Sequence, residues 1–232
     1  MDQRITTGSA GQVSESSFLS RVYAWMAVGL GVSALASYWL LMQPGLLRMM
    51  VVNPMAMILL IVAEIGLVIW LSAGVMRMSV PLATTVFLIY SFLNGVTLTP
   101  ILLIYTSISV YSTFAITAGT FLFFSVYGMT TKKDLTSIGN LMVMGLIGII
   151  LAGVVNLFLK SPVLYWISTF VGIAVFLGLV AWDTQKLKSI HAMGFESEEM
   201  QKKVAILGAL TLYLDFINLF ILLLRIFGKR RD

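Results

Sequence analysis

The chain has 232 residues, 59% of them hydrophobic and 11% charged, with a mean hydropathy of +0.98. A soluble domain carries about 25% charged residues, so this composition excludes a water-facing globular fold, a disordered chain, collagen and a coiled coil. Fifteen Lys and Arg against ten Asp and Glu give a formal net charge of +5, but the basic residues fall in short pieces between apolar runs, which is the pattern of membrane orientation and not of nucleic-acid binding.

The apolar runs are long and unbroken, which rejects a transmembrane β-barrel with its alternating strands. At about 20 residues per span, the length leaves room for at most about eight or nine helices and no sizeable soluble domain. Cysteine is absent, which removes disulfides, thiolate metal sites and a catalytic thiol.

Residues 1–17 are polar and rich in Ser, Thr and Gly, and read as a flexible tail. An apolar run follows, uncharged from Val22 through Leu47. It is too long for a signal-peptide core and predicts a first helix over 19–42. The second run, 53–74, is apolar except for Glu64. Residues 78–131 carry no charge, a length for two helices and a turn. Pro100 and the polar stretch at 105–109 place that turn, giving spans over 79–99 and 109–129. Lys132, Lys133 and Asp134 close the fourth span, residues 135–159 make the fifth, and Lys160-Ser161-Pro162 is a tight connection. Residues 162–182 make the sixth span, 183–203 read as a charged connection, and 204–224 make a seventh span that is apolar except for Asp215. The division is a tail over 1–18, a seven-helix membrane domain over 19–228 and a basic tail over 229–232. Small residues should mediate helix contacts, with Gly145, Gly148 and Ala152 on the fifth helix and Gly29, Gly31 and Ala34 on the first.

Cytoplasmic loops collect Lys and Arg. With the N-terminus inside, nine basic residues lie on the cytoplasmic side (Arg4, Arg21, Arg77, Lys132, Lys133, Lys186, Lys188, Lys202, Lys203). Five lie outside: Arg48, Lys160 and the tail residues Lys229, Arg230 and Arg231. The count predicts a cytoplasmic N-terminus and a periplasmic C-terminus.

A charge at the bilayer centre costs at least about 2.5–3.5 kcal/mol and should face the bundle interior with a partner. Asp215 lies near the middle of the seventh helix, with Asn218 three residues on along the same face. Asp183 ends the sixth helix. If the bundle brings the two together, the carboxylates titrate as one unit and can hold a proton as a switch. Arg77, in the cytoplasmic connection after the second helix, is a cation available to that pair. Glu64 either lines a pore or hydrogen-bonds a neighbour. Arg225 is expected to snorkel to the interface, and His191 reads as a solvated loop residue. Motifs of zinc peptidases, serine hydrolases and P-loop enzymes are absent. Tyr213-Leu214-Asp215-Phe216 departs from the G-x-G-D context of intramembrane aspartyl proteases, so no enzyme is expected and no cofactor. A proton-coupled transporter is a weaker reading, since no inverted repeat stands out.

The segments LTLYLDFINLFILLLRIFG at 210–228 and AWDTQKLK at 181–188 resemble the Bax inhibitor-1 (transmembrane Bax inhibitor motif) family, in its bacterial inner-membrane branch. The resemblance spans the whole chain. It implies an all-α membrane fold of six helices packed around a central seventh, and a pH-sensitive calcium leak gated by an aspartate pair. The matching pair here is Asp183 and Asp215, the second-helix glutamate is Glu64, and Arg77 is the residue available as the family's latch. Calcium requires six to eight oxygens. Asp183 and Asp215 with Glu64, Asn218 and backbone carbonyls therefore suggest weak transit and no tight cage. The resemblance also implies a second reading, a regulator that binds a membrane-bound AAA protease or another membrane partner. Oligomeric state is left open.

Overall fold

The computed structural model describes residues 15–231. Most of the expected tail over 1–17 therefore lies outside the described residues, and Glu15 already opens the first helix. The order is α1 (Glu15–Leu41), α2 (Pro44–Val52), α3 (Pro54–Gly74), a 3₁₀ turn (Val75–Arg77), α4 (Val80–Leu103), α5 (Ser107–Thr130), α6 (Thr136–Leu159), α7 (Pro162–Ala192) and α8 (Glu198–Phe227). Seven of these are long and apolar enough to cross a membrane.

The sequence starts these helices by a repeated device. Four of the five prolines sit in a first turn, at Pro44, Pro54, Pro81 and Pro162, where the missing N–H costs nothing. Asn53, Ser79, Thr106, Ser161 and Ser197 each accept a hydrogen bond from an amide of the following turn, satisfying donors that the helix itself leaves open. Before α6, the hydroxyl and amide of Thr136 hold the Asp134 carboxylate below its usual range.

The helix α8 is the axis. It packs against α1, α7, α5 and α4, while α3 leans on α4 and α6 leans on α7. Burial follows this order: 72% of the apolar stretch of α8 is buried inside the bundle, against none of that of α6. Leu157, Phe158 and Ile108 stand fully outward, as lipid-facing side chains should, and Ser33, Ser91, Thr113, Thr117, Ser125 and Thr184 are buried. The fold is the expected helical membrane bundle with a central last span.

Several boundaries differ from the sequence reading. The stretch 183–203 is mostly helix. α7 runs ten residues past 182, and α8 begins six residues before 204, so residues 193–197 alone connect them. Charged residues sit as readily in a solvated helix as in a loop, so the break in apolarity does not mark the helix end. Pro100 does not end α4, which continues to Leu103. Ser37 and Thr99 donate to the Gly95 carbonyl at 2.6 and 2.9 Å, serving backbone in the turn before the proline. The nine-residue α2 lies between the first two expected spans; it is too short to span and packs on α1 and α3, with Leu46, Leu47 and Met50 in one apolar cluster with Ala36, Leu40 and Val96.

The small-residue stripes hold only in part. Gly29 meets Phe87 and Gly145 meets Val175, while Gly31 and Gly148 face open space. The closest approaches are elsewhere. A Cβ on Gly95 would collide with the backbone of Ser33, and one on Gly128 with the backbone of Ala181.

The two ends of the bundle are tied separately. At one end Lys188 pairs with Glu15 at 3.4 Å and donates to the Met129 carbonyl, and Gln185 bridges Lys133 and Leu135. At the other, the residues after α8 dock on the α4–α5 connection. Thr106 donates to the Lys229 carbonyl, Arg231 donates to that of Ile104, and Tyr105 and Arg230 form an isolated bridge.

The glycine contacts predict a contrast within α5. Gly128→Val should destabilise the protein by about 1–3 kcal/mol through overpacking. Gly119→Ala, where a Cβ meets nothing within 4 Å, should be neutral or stabilising by about 0.5–1 kcal/mol. Thermal unfolding in detergent micelles reads both.

Candidate functional site

The buried ionisable groups of the interior are built from the faces of α8 and its neighbours. Asp183 on α7 and Asp215 on α8 are 7% and 5% exposed. Their carboxyl groups are near enough to interact electrostatically across the α7–α8 contact. A hydrogen bond between two carboxyl groups forms only when one of them carries a proton, since an ionised carboxylate is an acceptor alone. Oδ2 of Asp215 is buried with no hydrogen-bond partner. Lys186, one turn beyond Asp183, is the cation close enough to act on it; its ammonium also lies 4.9 Å over the Trp182 ring. One residue past Asp183, Thr184 joins a hydroxyl cluster with Ser125 of α5 at 3.1 Å and Tyr23 of α1 at 3.3 Å. Tyr23 also bonds Ser125 directly.

Glu64 of α3 centres a second network. It is 8% exposed. Asn94 donates to its Oε2 at 3.3 Å and the Thr97 hydroxyl donates to its Oε1. The Tyr213 hydroxyl of α8 donates to Asn94 Oδ1 at 2.9 Å and lies 2.6 Å from the Ser33 hydroxyl of α1. Ser33 continues to the Ser91 carbonyl at 2.7 Å. The rings of Phe87 and Tyr90 stand edge-on to Tyr213, which closes this chain of hydrogen bonds off with apolar surface. Glu64 accepts from both Asn94 and Thr97 of α4.

The remaining candidates stand apart from the pair. Asn218 donates to the Leu214 carbonyl of its own helix at 2.8 Å. Arg77 is exposed in the 3₁₀ turn and makes no hydrogen bond or ion pair with the described residues. Arg225 stays within the bundle, its guanidinium 5.0 Å over the Tyr165 ring and 3.5 Å from the Thr169 hydroxyl. His191 is not solvated as a loop residue would be. It lies on α7 between Phe18 and Phe195, at 5.3 and 5.9 Å, and both ring nitrogens are buried without partners.

Among the described residues, no three Asp, Glu or His side chains converge as a metal cluster. Two carboxyl groups supply four oxygens at most, short of the shell calcium takes at a holding site. The arrangement suits brief contact with a passing cation and the gain or loss of a proton.

Sequence reasoning missed Asn94, Thr97, Ser33 and Tyr213. The available signal was Tyr213 two residues before Asp215, with Asn94 and Thr97 inside an uncharged span. Neutral polar residues in a bilayer cost less than charges and are common helix–helix glue, so they did not stand out.

Residues 15–232 match the family described as inhibitor of apoptosis-promoting Bax1. The chain is 46% identical over 215 residues to the inner membrane protein YbhL of Escherichia coli, covering 92% of each chain. It is 41% identical over 218 residues to an uncharacterised protein of Borreliella burgdorferi, covering 94% of each. It is 35% identical over 219 residues to an uncharacterised membrane protein of Streptococcus pyogenes, again covering 94% of each.

The Glu64 network yields a stability prediction. Asn94→Leu strips partners from both Glu64 and Tyr213 and should cost about 1–3 kcal/mol. Tyr213→Phe removes one hydroxyl and should cost about 0.6–1.7 kcal/mol. Unfolding in mixed detergent micelles measures both, and equal stability of Asn94→Leu and the parent chain would contradict the network.

Proposed function

The chain belongs to the Bax inhibitor-1 family, and we propose that it is a pH-sensitive leak for cations, calcium among them, in a bacterial inner membrane. The location rests on the printed name of the Escherichia coli relative, an inner membrane protein, and on seven helices of membrane-crossing length. The N-terminus is cytoplasmic on the Lys and Arg count.

The observation that carries the reading is the buried contact of Asp183 with Asp215. With one proton between them the carboxyls are joined, and α7 and α8 are held together at mid-bundle. When that proton leaves, two like charges face each other across a medium of low dielectric, where repulsion is far stronger than in water. The separation of α7 from α8 is the opening event. The sign follows: acid keeps the pair joined and the leak closed, and rising pH favours the open form. The exposed carboxylate oxygens then offer a transient site for a cation, loose enough for release.

The protein reconstituted in liposomes should pass calcium at a rate that rises with pH across neutrality, read with a trapped fluorescent indicator. Asp183→Asn and Asp215→Asn should each flatten that profile, because an amide neither gains nor loses the proton. Unchanged flux and an unchanged pH profile in both variants would sink the sensor, and an absence of flux in the parent chain would sink the leak.

A further inference from the structure

A second feature lies away from the aspartate pair, beside the Ser33 end of the Glu64 network. Between α1, α4, α5 and α8, towards the end of the bundle that holds the chain's last residues, is a cavity of about 400 Å³. That is within the range of built ligand pockets. Its floor is apolar, formed by Leu98, Ile217 and Phe220, all buried. Its rim is Tyr38, Leu41 and Tyr111, which are 60%, 45% and 74% exposed, so the cavity opens on the lipid-facing side of the bundle.

The mouth is electropositive. Arg231 lines it, fixed by its amide to the Ile104 carbonyl at 2.9 Å and by its guanidinium to the Ser107 hydroxyl at 3.1 Å. Lys229 is pinned beside it, its amide donating to the Ser109 hydroxyl at 2.9 Å. The tail Lys-Arg-Arg-Asp carries three cations against one carboxylate. Among the described residues no carboxylate pairs with any of the three. Arg231 at the mouth, with the backbone of Lys229 and Arg230 fixed next to it, sets cationic chemistry above an apolar slot, which is the chemistry of an anionic lipid site. The cations take the phosphate, and the slot takes hydrocarbon that would otherwise leave a void in the wall.

We propose that this cavity binds one anionic phospholipid, with an acyl chain between α1, α4 and α5 and its phosphate on Arg231 and the adjacent tail cations. This goes beyond the leak and does not depend on it, since none of these residues touches the aspartate pair.

Native mass spectrometry of the full chain, released from zwitterionic detergent, tests it with three probes: phosphatidylglycerol, phosphatidylcholine and inorganic phosphate. One phosphatidylglycerol should be retained per chain at concentrations where phosphatidylcholine is not. Arg231→Gln should raise the half-saturating concentration about fivefold, the effect of one surface cation. Ala34→Phe, which fills the slot from its wall, should abolish retention. Melting temperature should rise with phosphatidylglycerol and not with inorganic phosphate. Equal retention of the two lipids would overturn the proposal, as would equal stabilisation by inorganic phosphate alone. Unchanged retention in Arg231→Gln would also overturn it; that side chain is exposed and its loss leaves the bundle packing intact, so this variant decides the matter even if Ala34→Phe does not fold.

Discussion

The cost of an ionisable group in hydrocarbon organises this protein. A carboxyl group that enters the bilayer must face protein and find a partner there. Asp215 sits near the middle of the last helix, so that helix has no acceptable position on the periphery. It lies at the centre, wrapped by α1, α4, α5 and α7, and Asp183 of α7 is the partner that meets it. The remaining helices take their places from what they lack. α6 carries no charge and keeps its two asparagines, Asn140 and Asn156, near its ends, and it lies outermost. α3 carries one carboxylate, Glu64, and turns it towards Asn94 and Thr97 of α4.

The same constraint explains how the interior is glued. Between helices surrounded by lipid there is no hydrophobic drive of the kind that assembles a soluble core. Close backbone contact and hydroxyl bonding replace it. Gly95 lets α4 approach the backbone of Ser33, and Gly128 lets α5 approach that of Ala181. Ser37 donates to the Gly95 carbonyl at the first of these crossings, and the Tyr23–Ser125–Thr184 cluster ties α1, α5 and α7 together. The large apolar side chains are divided between the inner faces of α1, α4 and α8 and a broad outer surface that meets lipid.

What was legible in the sequence follows from what costs most. Seven spans could be read because the connections are marked by charge or proline, and the one between α4 and α5 by a polar stretch. Asp183, Asp215 and Glu64 could be read because a carboxylate in an apolar run has few inexpensive explanations. The ends of α7 and α8 could not, since Lys186, Lys188, Lys202 and Lys203 are equally at home in a solvated helix and in a loop. Nor could the continuation of α4 through Pro100, since proline inside an apolar run is compatible with either a turn or an unbroken span. His191 looked solvated because its neighbours in sequence are charged; its neighbours in space are Phe18 and Phe195. The Asn94–Tyr213 link was hidden for a related reason: uncharged polar residues acquire meaning only when the fold shows what they touch.

The two networks share one helix. Tyr213 and Asp215 are two residues apart, about 200° around the helix axis, so they project to nearly opposite sides of α8. Tyr213 reaches Asn94 of α4 and Ser33 of α1, and through Asn94 it reaches Glu64 of α3. Asp215 reaches Asp183 of α7. A helix fixed on both sides cannot move away from one partner without shifting relative to the other. The face of α8 opposite Asp215 is held by a hydrogen-bonded chain running to α3, so the packing of this helix satisfies both faces together.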